Sequence, residues 1–86
     1  MSELKTPENP STKVPAVTRA VAILRKLGAS SEPLGVNSLA RDLDLVPSTC
    51  LHILRALVAE GLVDFDVTSK RYAIGLGILP IAHSAI

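Results

Sequence analysis

Side chains that could carry out enzymatic chemistry are few in this sequence. It has one cysteine, Cys50, and two histidines, His52 and His83. Cys50 and His52 stand two positions apart in a segment with helical periodicity, so their side chains point about 200° apart and cannot converge on one metal ion. Gly75 and Gly77 lack the third glycine and the following lysine that a phosphate-binding loop requires. No nucleophile, base and orienting residue combine into one set, so we predict no catalysis, metal site or cofactor.

The segment from Pro47 to Glu60 offers a different chemistry, namely hydrogen bonding along one side of a helix. A helical wheel gathers its small and hydrogen-bonding residues on that side: Ser48, His52, Ala56 and Ala59, with Thr49 and Arg55 at the two edges. Small side chains allow close approach to a major groove, hydroxyls reach phosphates or base edges, and His or Arg binds purine acceptors. The N-terminus of a helix also attracts phosphate. The segment therefore predicts a DNA recognition helix.

Each of these residues also has a simpler explanation. Ser48 and Thr49 are residue types that commonly cap a helix N-terminus, although capping is compatible with phosphate contact. His52 could be an ordinary surface histidine. Leu51 lies at the border of the wheel, where it could touch a thymine methyl group or only pad the core. Cys50 falls on the apolar side and is expected to be a small core residue.

The first element that positions this segment is a helix beginning at Pro15. Gly28 is the expected stop of this helix. Its apolar residues recur every three or four positions: Val17, Ala20, Val21, Leu24 and Leu27. A second apolar flank widens this stripe: Ala16, Ile23 and Leu27. One flank could therefore pack on the domain while the other meets a partner.

The second element is a short helix predicted at residues 36–43, whose cap could be Gly35 or Asn37. Residues 44–46 then form a turn, and Pro47 begins the third helix at a position where proline is tolerated. A short helix, a tight turn and a longer helix are typical of a helix-turn-helix.

The last third of the chain changes to a strand pattern. Residues 62–65 and 71–74 read as two strands, and residues 66–70 have the length and composition of a hairpin loop. A hairpin directly after the recognition helix is a wing. The predicted fold is therefore α+β and mainly α: a winged helix-turn-helix over residues 14–75, preceded by a flexible arm over residues 1–13.

Composition limits the function further. The 86 residues suit one domain with one modest core, and nearly half of them are apolar. The net charge is only +1, which is weak for a nucleic-acid binder unless the basic groups lie on one face. A single cysteine excludes an internal disulfide and suits a reducing cytoplasm. No apolar run reaches membrane-spanning length, and no export leader is visible, so we expect a cytoplasmic protein without a membrane partner.

Several short motifs between Val14 and about Ala82 occur in a characteristic order. They are Val17-Thr18-Arg19-Ala20, Ile23-Leu24, Pro33-Leu34, Leu39-Ala40-Arg41, Pro47-Ser48-Thr49, Leu54, Leu57, Glu60-Gly61-Leu62-Val63 and Arg71-Tyr72-Ala73-Ile74-Gly75. No single motif is specific, but the ordered set resembles the N-terminal DNA-binding domain of the IclR family of bacterial transcriptional regulators, over about four fifths of the chain.

The resemblance implies more than the pattern does. It implies a homodimer on double-stranded operator DNA, with recognition helices in successive major grooves and wings near the backbone. It also implies a linker helix, which residues 76–86 would begin, and a C-terminal domain that binds a small-molecule effector and is absent here. Ser48 and Thr49 match the family's recognition-helix pair, and Arg19 matches an arginine of its first helix.

The sequence departs from the family pattern at four positions. Pro47 stands where a basic residue often precedes the Ser-Thr pair, and His52 replaces another basic residue. Lys70 stands at the usual glycine late in the wing loop, which predicts a left-handed backbone there. Pro80 falls inside the expected linker helix, so this helix should begin near Leu79 or bend.

These considerations give one set of expected DNA contacts, on three helices and the wing: Arg19, Arg41, Pro47, Ser48, Thr49, Leu51, His52, Arg55, Lys70 and Arg71. Some of the charged members could be ordinary solvated groups. Two alternatives remain open. The domain could be a winged helix for protein association, as the low net charge and the apolar flank of the first helix suggest. It could also belong to another winged-helix family, such as MarR-like or GntR-like regulators.

Overall fold

The computed structural model describes residues 13–86, so the predicted arm lies outside the described residues except for Lys13. Four helices and one antiparallel hairpin follow in the order α1, α2, α3, β1, β2, α4. Their bounds are α1 Pro15–Ala29, α2 Val36–Asp42, α3 Pro47–Ala59, β1 Val63–Asp66, β2 Arg71–Ile74 and α4 Ile78–His83. This arrangement is the predicted winged helix-turn-helix with the start of a following helix.

The core lies where α1, α2 and α3 meet the hairpin. Its largest fully buried side chains come one from each of these three helices and one from the hairpin: Ile23, Leu39, Leu54 and Val63. The half-buried Val36 and Leu43 pack against its edge. The other buried core residues are Leu27, Ala40, Cys50, Leu57 and Tyr72. In α2 and α3 the apolar residues predicted from spacing pack on one another, as helices of this size require for stability. In α1 the buried residues are Ile23 and Leu27 of the second flank, whereas Val17 and Val21 of the first stripe are exposed.

The turn between α2 and α3 depends on a residue in the left-handed conformation. Asp44 has φ 56°, its N–H donates to the carbonyl of Arg41 at 3.3 Å, and the N–H of Leu45 donates to that of Ala40 at 2.8 Å. These two bonds close the end of α2 in a Schellman motif, although Gly is the usual residue at such a position. The sequence-based prediction of a turn at 44–46 gave no sign of this conformation. Gly35 is the N-cap of α2, which resolves the earlier ambiguity.

The wing differs from its prediction in two details. β1 runs from Val63 to Asp66, one residue later than expected. Leu34 forms an isolated antiparallel bridge with Tyr72, through backbone hydrogen bonds of 2.9 and 2.8 Å. The loop before α2 therefore pairs with β2 at this one position, beside the hairpin. Lys70 has φ 59°, which confirms the left-handed conformation expected where glycine is usual.

The observed bounds of α1 and α4 also differ from the predicted ones. α1 continues through Gly28 to Ala29, because its final turn is closed by a bond from the N–H of Ser30 to the carbonyl of Leu27 at 3.2 Å. α4 begins at Ile78, one residue before the expected start, and Pro80 lies in its first turn, where a missing N–H costs no helical bond. Among residues 13–86, no helix is both long and apolar enough to span a bilayer.

Candidate nucleic-acid interface

The outward side of α3 is exposed as the helical wheel predicted. Cys50, Leu54 and Leu57 are buried, whereas the small and hydrogen-bonding residues lie at the surface: Ser48, His52, Arg55, Ala56 and Ala59. Thr49 is half-buried at the edge. Cys50 and His52 thus lie on opposite sides of α3, and burial raises the pKa of the Cys50 thiol, which suits a core residue.

The N-terminus of α3 has backbone donors that its own helix does not use. Pro47, which is exposed, is the first helical residue and has no N–H, and the first helical bond is that of Cys50 N–H to the carbonyl of Val46 at 3.0 Å. Helix geometry leaves the N–H groups of Ser48 and Thr49 without a carbonyl partner in α3. Val46, the N-cap residue, supplies no side-chain cap. These donors and the positive end of the helix dipole can therefore serve an anion.

A cleft between α1 and α3 brings together four of the predicted contact residues. It has a volume of about 240 Å³ and is lined by Arg19, Ser48, Thr49 and His52, with Ala16 and Ile53 as its apolar wall. Arg19, which is exposed, therefore shares this cleft with Ser48 and Thr49 at the start of α3. A guanidinium, two hydroxyls and two amides are groups that bind phosphate oxygens.

The same cleft continues along α3 as an apolar groove of about 290 Å³. Val17 and Ala20 of α1 and Ala56 and Leu57 of α3 line this part, and it shares Ala16, His52 and Ile53 with the polar part. His52 thus stands at the boundary between a polar and an apolar surface.

The remaining predicted contacts on the helices lie outside this cleft. Arg41 is exposed on α2, and its Nε lies 3.9 Å from Oδ1 of Asp42, which also pairs with Lys26 at 3.4 Å. Such exposed pairs are weak, so Arg41 stays available to a stronger anion. Leu51 is half-buried and packs against the core, which favours the padding role over a thymine contact.

The wing has a polar face that sequence reasoning did not describe fully. In the hairpin register Asp64 pairs with Ala73 and Asp66 with Arg71, so two carboxylates share one face with Arg71. Alternation along β1 could have placed Asp64 and Asp66 on one face, but that Arg71 shares this face depends on the register. Lys70 is exposed beside them. The predicted basic contribution of Lys70 and Arg71 is therefore largely balanced on the wing itself.

Asp66 also organises the wing turn. Its Oδ1 accepts the N–H of Thr68 at 2.9 Å and that of Ser69 at 3.4 Å. These two hydrogen bonds hold the pKa of the Asp66 carboxyl below its usual range, and the bond from Thr68 has the larger effect. Asp66 is thus a structural residue of the turn as well as a negative charge.

Comparison with known proteins identifies the fold family. The family model of the IclR helix-turn-helix domain matches residues 16–67, which is more than half of the chain. The chain belongs to the IclR helix-turn-helix family. A relative, the glycerol operon regulatory protein of Streptomyces griseus, is 37% identical over 71 residues, which cover 83% of this chain and 28% of the relative.

Solved structures of IclR-type regulators agree with this assignment. The chain is similar to the IclR transcriptional regulator of Alicyclobacillus acidocaldarius, with a TM-score of 0.79 and 32% identity over 85% of this chain and 30% of that one. It is also similar to the Agrobacterium tumefaciens repressor BlcR, with a TM-score of 0.75 and 30% identity over 86% and 29% of the two chains. The chain spans less than a third of the length of these relatives.

Membership of the IclR family makes this chain a DNA-binding domain of a transcriptional regulator. Among residues 13–86, no group of three or more His, Cys, Asp or Glu side chains is placed to hold a metal ion.

Proposed function

We propose that this IclR-family domain binds operator DNA sequence-specifically, with the outward side of α3 in the major groove. The observation that supports this most is the exposure of small and hydrogen-bonding residues along the whole of α3: Ser48, His52, Ala56 and Ala59. A major groove about 12 Å wide admits a helix of this kind, and small side chains let the helix axis approach the base edges.

Two kinds of DNA contact are proposed along α3, one to phosphates and one to base edges. The cleft that Arg19, Ser48 and Thr49 line with the free N–H groups of α3 is the proposed phosphate site. It would fix the register of the helix without reading sequence. His52 and Arg55, farther along the exposed side, are then the proposed readers of base edges. Pro47 and Arg41 are proposed to contact the backbone nearby.

The wing is proposed to contribute less than the two basic residues alone would suggest. Lys70 contacts a phosphate, whereas Arg71 shares its face with Asp64 and Asp66. The carboxylates repel phosphates, so the wing orients the domain more than it adds affinity.

The domain is further proposed to act as a homodimer on a pseudo-palindrome. Large apolar side chains remain exposed on α1 and α4, at Val17 (59%), Val21 (38%), Leu79 (61%) and Ile81 (59%). Such residues favour burial against a second copy. The regulator is proposed to act in the cytoplasm. Effector binding is proposed to belong to a C-terminal domain, as the family resemblance implies.

A protein-association role is the second candidate, and the apolar groove that Val17, Ala20, Ala56 and Leu57 line favours it. In that case a duplex would bind weakly and without sequence preference.

The test is selection of duplexes by the purified chain from a random pool, followed by a salt titration of the selected and a scrambled duplex. The proposal predicts an enriched pseudo-palindrome and a log–log salt slope of about −4 to −8, for about four to eight phosphate contacts per dimer. No enrichment together with a flat salt response would exclude DNA reading and favour protein association.

A further inference from the structure

The end of α3 and the beginning of α4 touch backbone to backbone. The N–H of Gly77 donates to the carbonyl of Gly61 at 3.0 Å, and the N–H of Gly75 donates to the carbonyl of Leu62 at 2.9 Å. We call this junction of Gly61, Gly75 and Gly77 the glycine contact. It joins the recognition helix to the helix that leaves the domain.

No other residue type fits at the two later glycines without backbone movement. A Cβ on Gly77 would overlap the carbonyl oxygen of Gly61 and lie 2.8 Å from its carbonyl carbon. A Cβ on Gly75 would lie 2.7 Å from the same oxygen. Because these neighbours are backbone atoms, no change of rotamer relieves the overlap. At Gly28, by contrast, the nearest atom to an added Cβ is Cγ1 of Ile74 at 3.9 Å, an ordinary contact.

The glycine contact is rigidly attached to α3. Gly61 has φ 79°, its N–H donates to the carbonyl of Val58 at 3.0 Å, and the N–H of Leu62 donates to that of Leu57 at 3.0 Å. These bonds form the Schellman motif that ends α3. The carbonyl that accepts Gly77 is therefore held in a fixed position relative to the recognition helix.

The glycine contact is equally close to α4. The N–H of Ile78, the first residue of α4, donates to the carbonyl of Gly75 at 3.2 Å. α4 therefore begins directly at the junction, with no free linker between them, and its direction follows from the contact. Leu79 and Ile81 of α4 are exposed apolar residues, the ones proposed above to meet a second copy.

We propose that the glycine contact sets the angle between α3 and α4 and thereby the half-site spacing that the dimer prefers. Gly77 and Gly61 are then positioning residues for operator choice, although neither touches a base. This inference rests on the proposed function, since it requires two copies joined through α4, each with α3 in a major groove. One base pair of spacing shifts a half-site by about 3.4 Å and about 35°, so a dimer whose two copies of α3 are held at a fixed angle fits one spacing better than its neighbours.

The test compares the wild-type chain with Gly77→Ala, and with Gly28→Ala as the matched glycine control. Binding is measured to a single half-site and to duplexes whose two half-sites are moved together or apart by one or two base pairs. Wild type and Gly28→Ala should prefer one spacing by about tenfold over its neighbours. Gly77→Ala should keep its single-half-site affinity within about twofold, and its preferred spacing should shift or its preference fall below about threefold.

A second measurement covers the case in which Gly77→Ala does not fold. Residual dipolar couplings of the wild-type amides should fit α3 and α4 with one common alignment tensor. Independent averaging of α4, or an unchanged spacing preference in a folded Gly77→Ala chain, would overturn the inference. A wild-type chain that binds no duplex in a salt-dependent way would instead remove the proposed function itself.

Discussion

The exposed side of α3 and the polar face of the wing are both expected to face DNA, yet they are built differently. The side of α3 carries one formal charge, Arg55, among small residues, and Arg19 of α1 lines the cleft at its N-terminus. The polar face of the wing combines Arg71 with Asp64 and Asp66. The exposed side of α3 therefore offers small and hydrogen-bonding side chains with little charge, whereas the charges on the wing nearly cancel.

This difference explains how a chain with a net charge of +1 can serve as a DNA-binding domain. Non-specific attraction depends on unbalanced positive charge, which the wing does not provide. Discrimination between bases depends on close, well-aligned contacts, which a sparsely charged helix surface allows. We therefore expect low non-specific affinity and a comparatively high dependence on α3.

The largest effect is expected from Ala56→Glu, which places a bulky negative charge on the exposed side of α3. A carboxylate against the duplex costs several kcal/mol, so affinity for the selected duplex should fall on the order of 100-fold or more. Ala29→Glu adds the same charge at the exposed end of α1 and is the control, with an expected change of less than about threefold. Fluorescence anisotropy measures both. Equal losses in the two variants would show that net charge, and not the side of α3, determines binding.

His52→Ala should have the next largest effect, and it should separate the recognition of bases from non-specific attraction to DNA. Loss of a base-edge contact costs about 1–3 kcal/mol on the preferred duplex, or about fivefold or more, and nearly nothing on a scrambled one. Competition between the two duplexes measures the ratio. If His52→Ala weakens both duplexes alike, His52 contacts the DNA backbone and does not read bases.

Much of this architecture was predictable from sequence, because apolar spacing in α2 and α3 indicates which side is buried. The buried Leu39 and Leu54 follow from it, and so does the exposure of His52. In α1 the spacing left two apolar flanks, and only the packing decides that Ile23 is buried and Val17 exposed. The left-handed Asp44 was not predicted, because the Schellman motif that ends α2 usually has Gly at this position and Asp gives no comparable signal in the sequence.

The balance of charge on the wing was missed for another reason. It depends on which strand residues are paired, and a one-residue shift of β1 changes the face on which Asp64 and Asp66 lie. The cleft that joins Arg19 to the start of α3 likewise depends on a tertiary contact, which spacing along the chain does not specify.

The wing should respond to charge in either direction, with smaller effects than α3. Asp64→Asn removes a carboxylate from the polar face and should raise affinity about threefold on every duplex, because one repulsion is lost. Lys70→Ala should lower it by a similar factor and reduce the salt slope by about 1. Glu32→Gln, in the exposed joint before α2, is the control for net charge. A rise with Asp64→Asn that is confined to the selected duplex would contradict a backbone-facing wing.

Lys70→Gly should separate stability from binding. Lys70 has a left-handed backbone, which a residue with a Cβ adopts at a cost of about 1–2 kcal/mol, partly offset by the greater chain entropy of glycine. We expect the free energy of unfolding to rise by about 0.5–1 kcal/mol in urea titrations while DNA affinity falls as in Lys70→Ala. A decrease in stability would mean that the Lys70 side chain contributes contacts that outweigh the strain.

The smallest effect is a pH dependence at Asp66. Its pKa is held below the usual value by the N–H groups of Thr68 and Ser69, so its stabilising effect is present above the ordinary carboxyl pKa and is lost as pH falls through the lowered one. Wild type should therefore lose more stability than Asp66→Asn below about pH 4. Thermal unfolding from pH 5 to pH 2 measures the difference, and parallel curves would show that the two bonds are not maintained in solution.

The placement of α3 in the major groove is tested most directly by altering one groove at a time. In the selected duplex, 7-deazaguanine or uracil removes a major-groove group, and inosine in place of guanine removes only the minor-groove amino group. The account predicts about a tenfold or greater loss for at least one major-groove change in each half-site, with that sensitivity reduced in His52→Ala. Affinity that responds to inosine and not to the major-groove changes would contradict it.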